Sequence, residues 1–333
     1  MSKKIVMALL GAGRIGSIHA TTVAQQNDVE LRYVVDVNER AGRQLAEKLN
    51  ATFSDTNTVM ADGEVDAVII ATATDTHADL IELAANSGKA IFCEKPVDLN
   101  FNKVERCLKV VAEQKVPLAL GFNRRFDPNF SALQQQLKAG RIGELEMVSI
   151  TSRDPSPPPL EYIKVSGGLF RDMMIHDFDM ARWLLGEEPV EVFATGSCLV
   201  DPDIAVAGDI DTAMVILKTA SGKLCQISNS RRASYGYDQR VEVFGSEGML
   251  RVENETSNRL ECFDSTGVIA DKPLYFFLER YAQAYRQELE DFVSAIRSGD
   301  EPLVTGNDGL EALRLANAAF ESYKSGIPVV IKA

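Results

Sequence analysis

The feature that most constrains the fold is the alternation of short apolar runs with helical patterns over roughly the first 120 residues. The apolar runs are β-rich and predict strands at 4–10, 31–36, 65–71, 90–93 and 117–121. The segments between them predict helices at 14–26, 39–49, 76–87 and 100–115. Asp75 and Asn100 are the predicted caps of the last two helices. This alternation is typical of a parallel sheet with helices on both faces, so the first part of the chain is predicted to be a doubly wound α/β domain.

The pattern changes after Gly121, where strands follow one another directly. Several alternate apolar and polar residues: Val190, Val192 and Ala194 share one face, as do Val241 and Val243. A long helix at about 169–185 precedes these strands, and helices at 275–298 and 307–325 close the chain. We therefore predict two domains, 1–121 and 122–333, the second an α/β domain on an open, largely antiparallel mixed sheet.

Composition excludes several classes of partner. The net charge of −13, from 48 acidic and 35 basic residues, disfavours nucleic acid and anionic lipid, which bind through clustered Lys and Arg. No stretch approaches the roughly 20 apolar residues of a membrane span. The five cysteines are odd in number without CxxC spacing, so we expect a reduced, cytoplasmic protein. The proline-rich segment 155–159 is either a lid over a cleft or a plain surface connection.

A glycine motif, Gly11-Ala12-Gly13-Arg14-Ile15-Gly16, stands between the first predicted strand and the first predicted helix. Its glycines suit a tight turn, a close approach to pyrophosphate and close strand–helix packing, and the helix N-terminus attracts the anion. Asp36 follows 20 residues after Gly16, where a carboxylate accepts hydrogen bonds from the ribose hydroxyls and repels a 2′-phosphate. The motif predicts NAD. Some use of NADP stays open, because three arginines near in sequence can offset that repulsion: Arg14, Arg40 and Arg43.

Four further motifs follow along the chain. They are Ala-Thr-Ala-Thr-Asp-Thr-His at 71–77, Glu-Lys-Pro at 94–96, Gly-Phe-Asn-Arg-Arg-Phe-Asp at 121–127, and a Gly-Gly pair before Asp-Met-Met-Ile-His-Asp-Phe-Asp at 172–179. Together they resemble the Gfo/Idh/MocA oxidoreductase family over essentially the whole chain, and the last segment is most similar to its myo-inositol 2-dehydrogenase members. One departure is Ala73, where the family commonly has Pro, which is expected to loosen the turn that carries His77.

The resemblance implies a Rossmann domain followed by a second domain that binds substrate and whose open sheet packs against another subunit, giving homodimers or homotetramers. It places Thr72, Thr74 and His77 beside the cofactor, although His77 equally suits a structural role at the helix start. The predicted cofactor-binding set is Gly11, Ala12, Gly13, Arg14, Ile15, Gly16, Asp36, Thr72, Thr74, His77, Glu94 and Lys95.

Oxidation of a secondary alcohol needs a base for the hydroxyl proton, and histidine suits that task because its pKa lies near neutrality. Asp172 and His176 are four apart on a predicted helix and share one face, so the carboxylate can orient the imidazole. Lys95 follows the carboxyl end of a parallel strand, where doubly wound sheets bind ligands. We predict His176 as base, Asp172 as its partner and Lys95 as the group that polarises the hydroxyl. His19, by contrast, lies in the first predicted helix without an acid partner nearby in sequence, and we predict packing or a helix-surface role for it.

The predicted reaction is the NAD-dependent oxidation of myo-inositol, or of a close cyclitol or pyranose, to the ketone. A polyol is recognised by converging hydrogen-bonding groups. The predicted set is Lys95, Arg124, Asp154, Asp172, His176, Asp179 and Tyr235. No metal is expected, because the acidic run 201–211 lacks His or Cys ligands and a calcium-loop pattern. The alternatives are a scyllo-inositol, glucose or sugar-nucleotide dehydrogenase of the same family, and a non-catalytic NAD-sensing regulator.

Overall fold

A computed structural model describes residues 3–331. Its strands are β1 (Ile5–Leu10), β2 (Val29–Val35), β3 (Thr52–Phe53), β4 (Ala67–Ile70), β5 (Ala90–Cys93), β6 (Leu118–Leu120), β7 (Leu145–Arg153), β8 (Pro189–Ser197), β9 (Thr212–Thr219), β10 (Leu224–Ser230), β11 (Asp238–Gly245), β12 (Gly248–Val252), β13 (Glu261–Asp264), β14 (Gly267–Ala270) and β15 (Val329–Val330). Its α-helices are α1 (Arg14–Ala24), α2 (Glu39–Lys48), α3 (Thr56–Ala61), α4 (His77–Asn86), α5 (Phe101–Gln114), α6 (Pro128–Lys138), α7 (Leu160–Ile163), α8 (Leu169–Asp172), α9 (Ile175–Leu185), α10 (Pro202–Val206), α11 (Phe277–Arg280), α12 (Ala282–Ser298) and α13 (Gly306–Ser325). Thr74–Thr76 and Asn123–Phe126 form 3-10 helices.

The first sheet has the order β3-β2-β1-β4-β5-β6, and all of its strand pairs are parallel. Every residue of β1, β4 and β5 is buried, because helices cover both faces of such a sheet. The doubly wound parallel sheet predicted from the alternation is therefore confirmed. The prediction missed β3 and α3, which are too short to produce a clear periodic pattern.

The two predicted helix caps have different outcomes. Asn100 caps α5, since its side chain accepts a hydrogen bond from the Lys103 N–H at 3.3 Å. The prediction for Asp75 is wrong: residues 74–76 form a 3-10 turn, and α4 begins at His77 without a side-chain cap. A short polar residue before an apolar run indicates a helix start only to within a few residues.

The chain divides into two units, and the division departs from the predicted domains in one respect. The first unit runs to Asn123 and also includes Ala284–Leu313, and the second consists of Arg124–Gln283 with the described residues from Arg314 onward. The prediction assigned everything beyond 121 to the second domain. The apolar face of α12, with Leu289, Phe292 and Val293, instead belongs to the core beneath the parallel sheet. Periodicity reveals an apolar face but not the sheet that covers it.

The second sheet has the order β12-β11-β7-β10-β9-β8-β15 and is mixed: β7 and β10 are parallel, and its other pairs are antiparallel. This confirms the largely antiparallel sheet of the predicted second domain. Val241 and Val243 are buried as predicted, and so are Val192 and Ala194. Val190 is exposed instead, because a register shift between Pro189 and Glu191 turns it out of the predicted face.

The single helix predicted at 169–185 is two helices, α8 and α9. The break lies at Met173 and Met174: the Met174 N–H donates to the carbonyl five residues back, at Leu169, and the His176 N–H to the carbonyl three residues back, at Met173. Asp172 ends the first helix and His176 lies in the first turn of the second, so the simple spacing rule for one helix does not relate them. Among residues 3–331, every helix is too short or too polar to cross a membrane.

Candidate functional site

The glycine turn follows β1 at the point where the strand order of the parallel sheet reverses. β1 lies between β2 and β4, so the connections on its two sides diverge and leave a crevice at the carboxyl ends of the strands. The Gly11 N–H donates to the carbonyl of Val35 at 2.8 Å, and the Ala71 N–H donates to that of Leu10 at 2.8 Å. These bonds tie the turn to both neighbouring strands at the position where sheets of this kind bind dinucleotides.

The three glycines of the turn meet different surroundings. Gly11 has φ +101°, and a Cβ there would lie 2.4 Å from the carbonyl oxygen of Ala71. A Cβ on Gly16 would lie 1.9 Å from the carbonyl oxygen of Gly11, which allows α1 to pack directly on the turn. Gly13 is exposed, and a Cβ there would meet nothing within 4 Å. The open space beside Gly13, in front of the N–H groups that begin α1, fits a pyrophosphate.

Asp36 follows β2 directly and faces this turn. Its carboxylate accepts the Ala12 N–H at 2.5 Å and the Asn38 N–H at 2.6 Å, one bond to each oxygen. A carboxylate oxygen has further acceptor capacity, so a ribose diol can donate to the same group. Arg43 pairs with Glu39 on the surface of α2 and packs over the Phe53 ring. One of the arginines weighed for a 2′-phosphate is thus engaged elsewhere, and the turn fits NAD.

His77 joins the loop after β4 to the loop after β5. It is buried, and its ring nitrogens lie 2.8 Å from the Pro96 carbonyl oxygen and 3.1 Å from that of Thr72. Thr72 contacts the Thr76 hydroxyl at 2.7 Å, and that hydroxyl donates to the Ala73 carbonyl. Of the two roles foreseen for His77, these contacts favour the structural one, since both nitrogens already face protein carbonyls. Ala73 has φ −71°, a value that proline itself adopts, so the turn is kept without the proline.

Glu94 and Lys95 begin the loop that follows β5. The Glu94 N–H donates to the Ile70 carbonyl at 2.9 Å, which extends the pairing of β4 and β5 by one residue. The carboxylate of Glu94 lies over Gly121, where a Cβ would approach it to 3.0 Å. Lys95 is half-buried, and the Lys95–Pro96 peptide bond is cis. Both residues lie at the carboxyl edge of the sheet, as predicted, and their roles stay predictions.

In the second unit a polar cluster surrounds Asp172. The Tyr162 hydroxyl donates to one of its oxygens at 2.7 Å, and the Arg231 guanidinium donates to the other at 3.3 Å. Arg231 is 1% exposed and also lies 3.6 Å from Asp209. His176 is half-buried on the next helix. The sequence reasoning missed Tyr162 and Arg231, because no local pattern relates residue 231 to a carboxylate 59 positions earlier.

The charged groups of the same cluster influence the pKa of Asp154. Burial, together with the negative charges of Asp172 and Asp177, raises the pKa of Asp154 to about 6, although the positive charges of Arg231 and Arg124 act in the opposite direction. A carboxyl group that titrates near neutrality is frequent at functional sites. The role of Asp154 in binding substrate stays a prediction.

In three other predicted substrate residues, the polar group of the side chain already makes two hydrogen bonds to neighbouring side chains. Arg124 donates to Asp177 at 2.5 Å and to Ser152 at 3.2 Å. Burial alone would lower the pKa of Arg124, but the charge of Asp177 raises it above its usual value. Both oxygens of Asp179 accept from Arg125, at 2.9 and 2.6 Å. The Tyr235 hydroxyl donates to Asp238 at 2.5 Å and accepts from Arg153 at 3.1 Å. These contacts favour supporting roles, while direct contact with substrate stays a prediction.

The acidic run at 201–211 has a structural explanation. Asp211 is buried, and its carboxylate accepts the N–H groups of Leu199 and Val200 at 2.8 Å each. It thus closes the turn before α10. Within the described chain, residues of metal-ligating type gather at another place, formed by His19, Glu94 and Glu288.

The fold and the glycine turn define a two-domain oxidoreductase that binds NAD. Residues 5–122 match the model of the oxidoreductase family with an NAD-binding Rossmann fold, and residues 130–251 match that of the GFO/IDH/MocA C-terminal domain. The chain belongs to the GFO/IDH/MocA oxidoreductase family, as its motifs predicted, and its cofactor is NAD.

Several relatives are similar along nearly their whole length. Inositol 2-dehydrogenase of Rhizobium meliloti (strain 1021) is 54% identical over 94% of this chain and 95% of its own. The solved structure of a myo-inositol dehydrogenase from Corynebacterium glutamicum is 42% identical, with a TM-score of 0.95 and 99% of each chain covered. A scyllo-inositol dehydrogenase from Lactobacillus casei, solved with bound NAD(H) and scyllo-inositol, is 30% identical, with a TM-score of 0.91 over 98% of this chain and 99% of that one.

Proposed function

We propose that the protein oxidises a secondary hydroxyl of myo-inositol, or of a close cyclitol or pyranose, to the ketone. The observation that carries the proposal is the polar cluster of the second unit, where Asp154, Asp172, Tyr162 and Arg231 offer hydrogen-bonding groups, and the half-buried His176 lies on the helix that follows Asp172. An uncharged polyol is recognised by such converging groups. The inositol dehydrogenases among the relatives support the same substrate class.

The proposed roles follow from the chemistry of each side chain. His176 takes the proton of the reacting hydroxyl, and Lys95 hydrogen-bonds the oxygen so that it loses this proton more readily. Asp172 stabilises the imidazolium formed on His176, while Arg231 and Tyr162 hold the Asp172 carboxylate in one orientation. The glycine turn and Asp36 would hold NAD, which would supply the acceptor for the hydride of the carbon that bears the reacting hydroxyl.

Substitution of His176 tests these roles. His176→Ala is expected to leave NAD affinity within about twofold of the wild type while turnover falls by roughly two or more orders of magnitude. Lys95→Met is expected to act in the same way. Lys109→Met, on the exposed face of α5, is the control for loss of one lysine in the same unit. NAD reduction is followed by fluorescence, and wild-type turnover in His176→Ala would remove this mechanism.

A substrate panel distinguishes the proposed substrate from its rivals. Turnover with myo-inositol, scyllo-inositol and glucose is compared in parallel, with NAD and with NADP. We expect the highest kcat/KM for myo-inositol with NAD, because the two more similar relatives are named inositol 2-dehydrogenase and myo-inositol dehydrogenase. A preference for scyllo-inositol or glucose would instead indicate another dehydrogenase activity of the same family. No turnover with any polyol would favour the NAD-sensing regulator.

We also propose that a second copy of the chain covers the exposed face of the second sheet. Four apolar side chains form a row across neighbouring strands in register: Met249, Phe244, Met147 and Leu224. Each is between 41 and 47% exposed, and Phe193 and Ile216 continue the apolar surface on adjoining strands. Contiguous apolar surface of this kind is typical of subunit interfaces. The proposed assembly is a homodimer or a homotetramer.

Light scattering on a sizing column tests the assembly. The wild type is expected at two or four times 36.5 kDa, and Phe244→Asp is expected to lower the mass because it places a charge in the row. Val206→Asp is the control, since Val206 is exposed on α10, outside the sheet. A wild-type monomer, or an unchanged mass for Phe244→Asp, would contradict the proposed face.

A cytoplasmic location is proposed on the state of the cysteines. All five lie among residues 3–331 and all are free thiols, three of them buried. Free thiols are typical of proteins from a reducing compartment. Recovery of the native protein with an extracytoplasmic fraction would contradict this location.

A further inference from the structure

Glu288 is a buried acid that the proposed chemistry does not use. It lies on α12, which packs against the parallel sheet of the first unit, and its side chain is completely buried. Neither of its carboxyl oxygens has a hydrogen-bond partner among the described residues. An ionised carboxylate without partners in such a place is very costly. A buried acid in this position therefore holds a proton unless another group compensates its charge.

His19 stands between Glu288 and a second carboxyl group. Its Nε2 lies 2.7 Å from Glu94 Oε1, and its Nδ1 lies 4.0 Å from Glu288 Oε1. The two acids thus face different nitrogens of one imidazole. One ligand atom from each of the three residues also lies within 4.8 Å of the other two, so a bound ion is the alternative to a shared proton, and the metal content of the purified protein distinguishes them.

The surroundings of the cluster restrict its charge. Burial and the negative charge of Glu94 raise the pKa of Glu288 well above its usual value. The rings of Phe92 and Tyr285 pack edge-on against His19, with centroids 4.9 and 5.8 Å away. The titratable groups that face the three residues are the Cys93 thiol at the end of β5 and the Tyr285 phenol on α12, and Lys95 follows Glu94 in the chain.

Glu94 connects this cluster with the cofactor-binding edge of the sheet. Its side chain is 15% exposed, whereas those of His19 and Glu288 are fully buried. It follows β5 at the carboxyl end of the parallel strands, the edge at which such sheets bind their ligands. A positive charge that arrives at this edge stabilises the anionic form of the cluster, and a neutral group does not.

We propose that His19, Glu94 and Glu288 form a buried proton store that releases a proton when the oxidised cofactor, whose nicotinamide ring is positively charged, binds. The proton moves from the Glu288 carboxyl to His19 Nδ1 while Nε2 gives its proton to Glu94, and Glu94 passes that proton to water. Glu288 is left as the carboxylate, and the imidazole stays neutral with its proton now on Nδ1 instead of Nε2. The first transfer requires the Glu288 oxygen to move about 1 Å closer to Nδ1, from 4.0 Å to hydrogen-bond distance. This inference rests on NAD binding and not on the identity of the catalytic base.

Calorimetry of cofactor binding measures the released proton directly. NAD⁺ and NADH are titrated into the protein at one pH in two buffers with different heats of ionisation, and the difference in binding enthalpy gives the protons exchanged. The wild type is expected to release a measurable fraction of a proton with NAD⁺ and a smaller fraction with NADH. Glu288→Gln is expected to abolish the NAD⁺-linked release. Glu290→Gln, at an exposed position of the same helix, is expected to keep it.

The result that overturns the proposal is equally definite. Equal release by the wild type and by Glu288→Gln, or no buffer dependence in the wild type, would refute the proton store.

Infrared difference spectra of the wild type give a second readout that does not depend on a variant. The carbonyl band of a protonated carboxyl must weaken when NAD⁺ binds, and its persistence refutes the proposal. Stoichiometric retention of a divalent metal by the purified protein would also refute it, because the cluster would then hold an ion. Inositol turnover is scored separately, so failure of the proposed reaction leaves these measurements interpretable.

Discussion

Alanine substitutions at Gly13 and Gly16 separate the two tasks of the cofactor turn. The residues lie three positions apart at the start of α1, and both changes add a single methyl group. At Gly16 the new Cβ would lie 1.9 Å from the Gly11 carbonyl oxygen. At Gly13 it would meet no protein atom within 4 Å, and φ is −70°, a value that alanine adopts freely. One change therefore strains the fold, and the other changes only the space in front of the helix.

The expected magnitudes follow from these contacts. Relief of the overlap at Gly16 requires α1 to retreat from the turn by about 1 Å, and overpacking of this kind costs roughly 1–3 kcal/mol. Domains of this size lose about 2–4 °C of Tm per kcal/mol. Gly13→Ala is expected to raise stability by about 0.4–1 kcal/mol, because it restricts the unfolded chain. The same methyl occupies the approach of the pyrophosphate, and NAD affinity is expected to fall at least about tenfold, or ~1.4 kcal/mol.

Thermal unfolding without cofactor and calorimetric titration with NAD measure the two effects independently. The expected result is opposite signs: Gly16→Ala lowers Tm, whereas Gly13→Ala raises or keeps Tm and loses affinity. Wild-type NAD affinity in Gly13→Ala would show that the pyrophosphate does not approach the turn at this residue. A wild-type Tm in Gly16→Ala would refute the close packing of α1 on Gly11.

Three further outcomes are expected. The pKa of Asp154 is raised from 3.8 to about 6, so the folded state binds more protons between these pH values and the free energy of unfolding falls as pH rises through them. Urea unfolding of Asp154→Asn should lack this decline, and a pH profile identical to that of the wild type would contradict the raised pKa. Asp179→Asn should lower stability by about 3–5 kcal/mol, because it leaves the buried Arg125 without its charge partner; a change confined to KM would instead support the predicted contact with substrate. Ala73→Pro should raise stability by about 0.4–1 kcal/mol, since φ is already −71°, and a lower Tm would show that proline does not fit this turn.

The cofactor half of the site could be predicted because its determinants are local. The glycine spacing, Asp36 and the carboxyl-end position of Glu94 and Lys95 all follow from short segments whose strand and helix assignments depend on periodicity. The structure adds the contacts that explain the spacing, such as the backbone overlap that only glycine avoids at position 16. Its contacts also favour loop anchoring as the role of His77, which the sequence left open, because the two carbonyls that His77 meets belong to different loops.

The sequence by itself determined the alternation of strands and helices, the parallel sheet, the dinucleotide turn and the residue types available for chemistry. Only the tertiary structure decided which distant side chains meet. Arg231 and Tyr162 hydrogen-bond to Asp172, and α12 packs in the first unit, where Glu288 faces His19. The physical reason is range: hydrophobic periodicity and backbone conformation are set by neighbours in the chain, whereas a buried charge pair depends on strand order and on which helix covers which sheet.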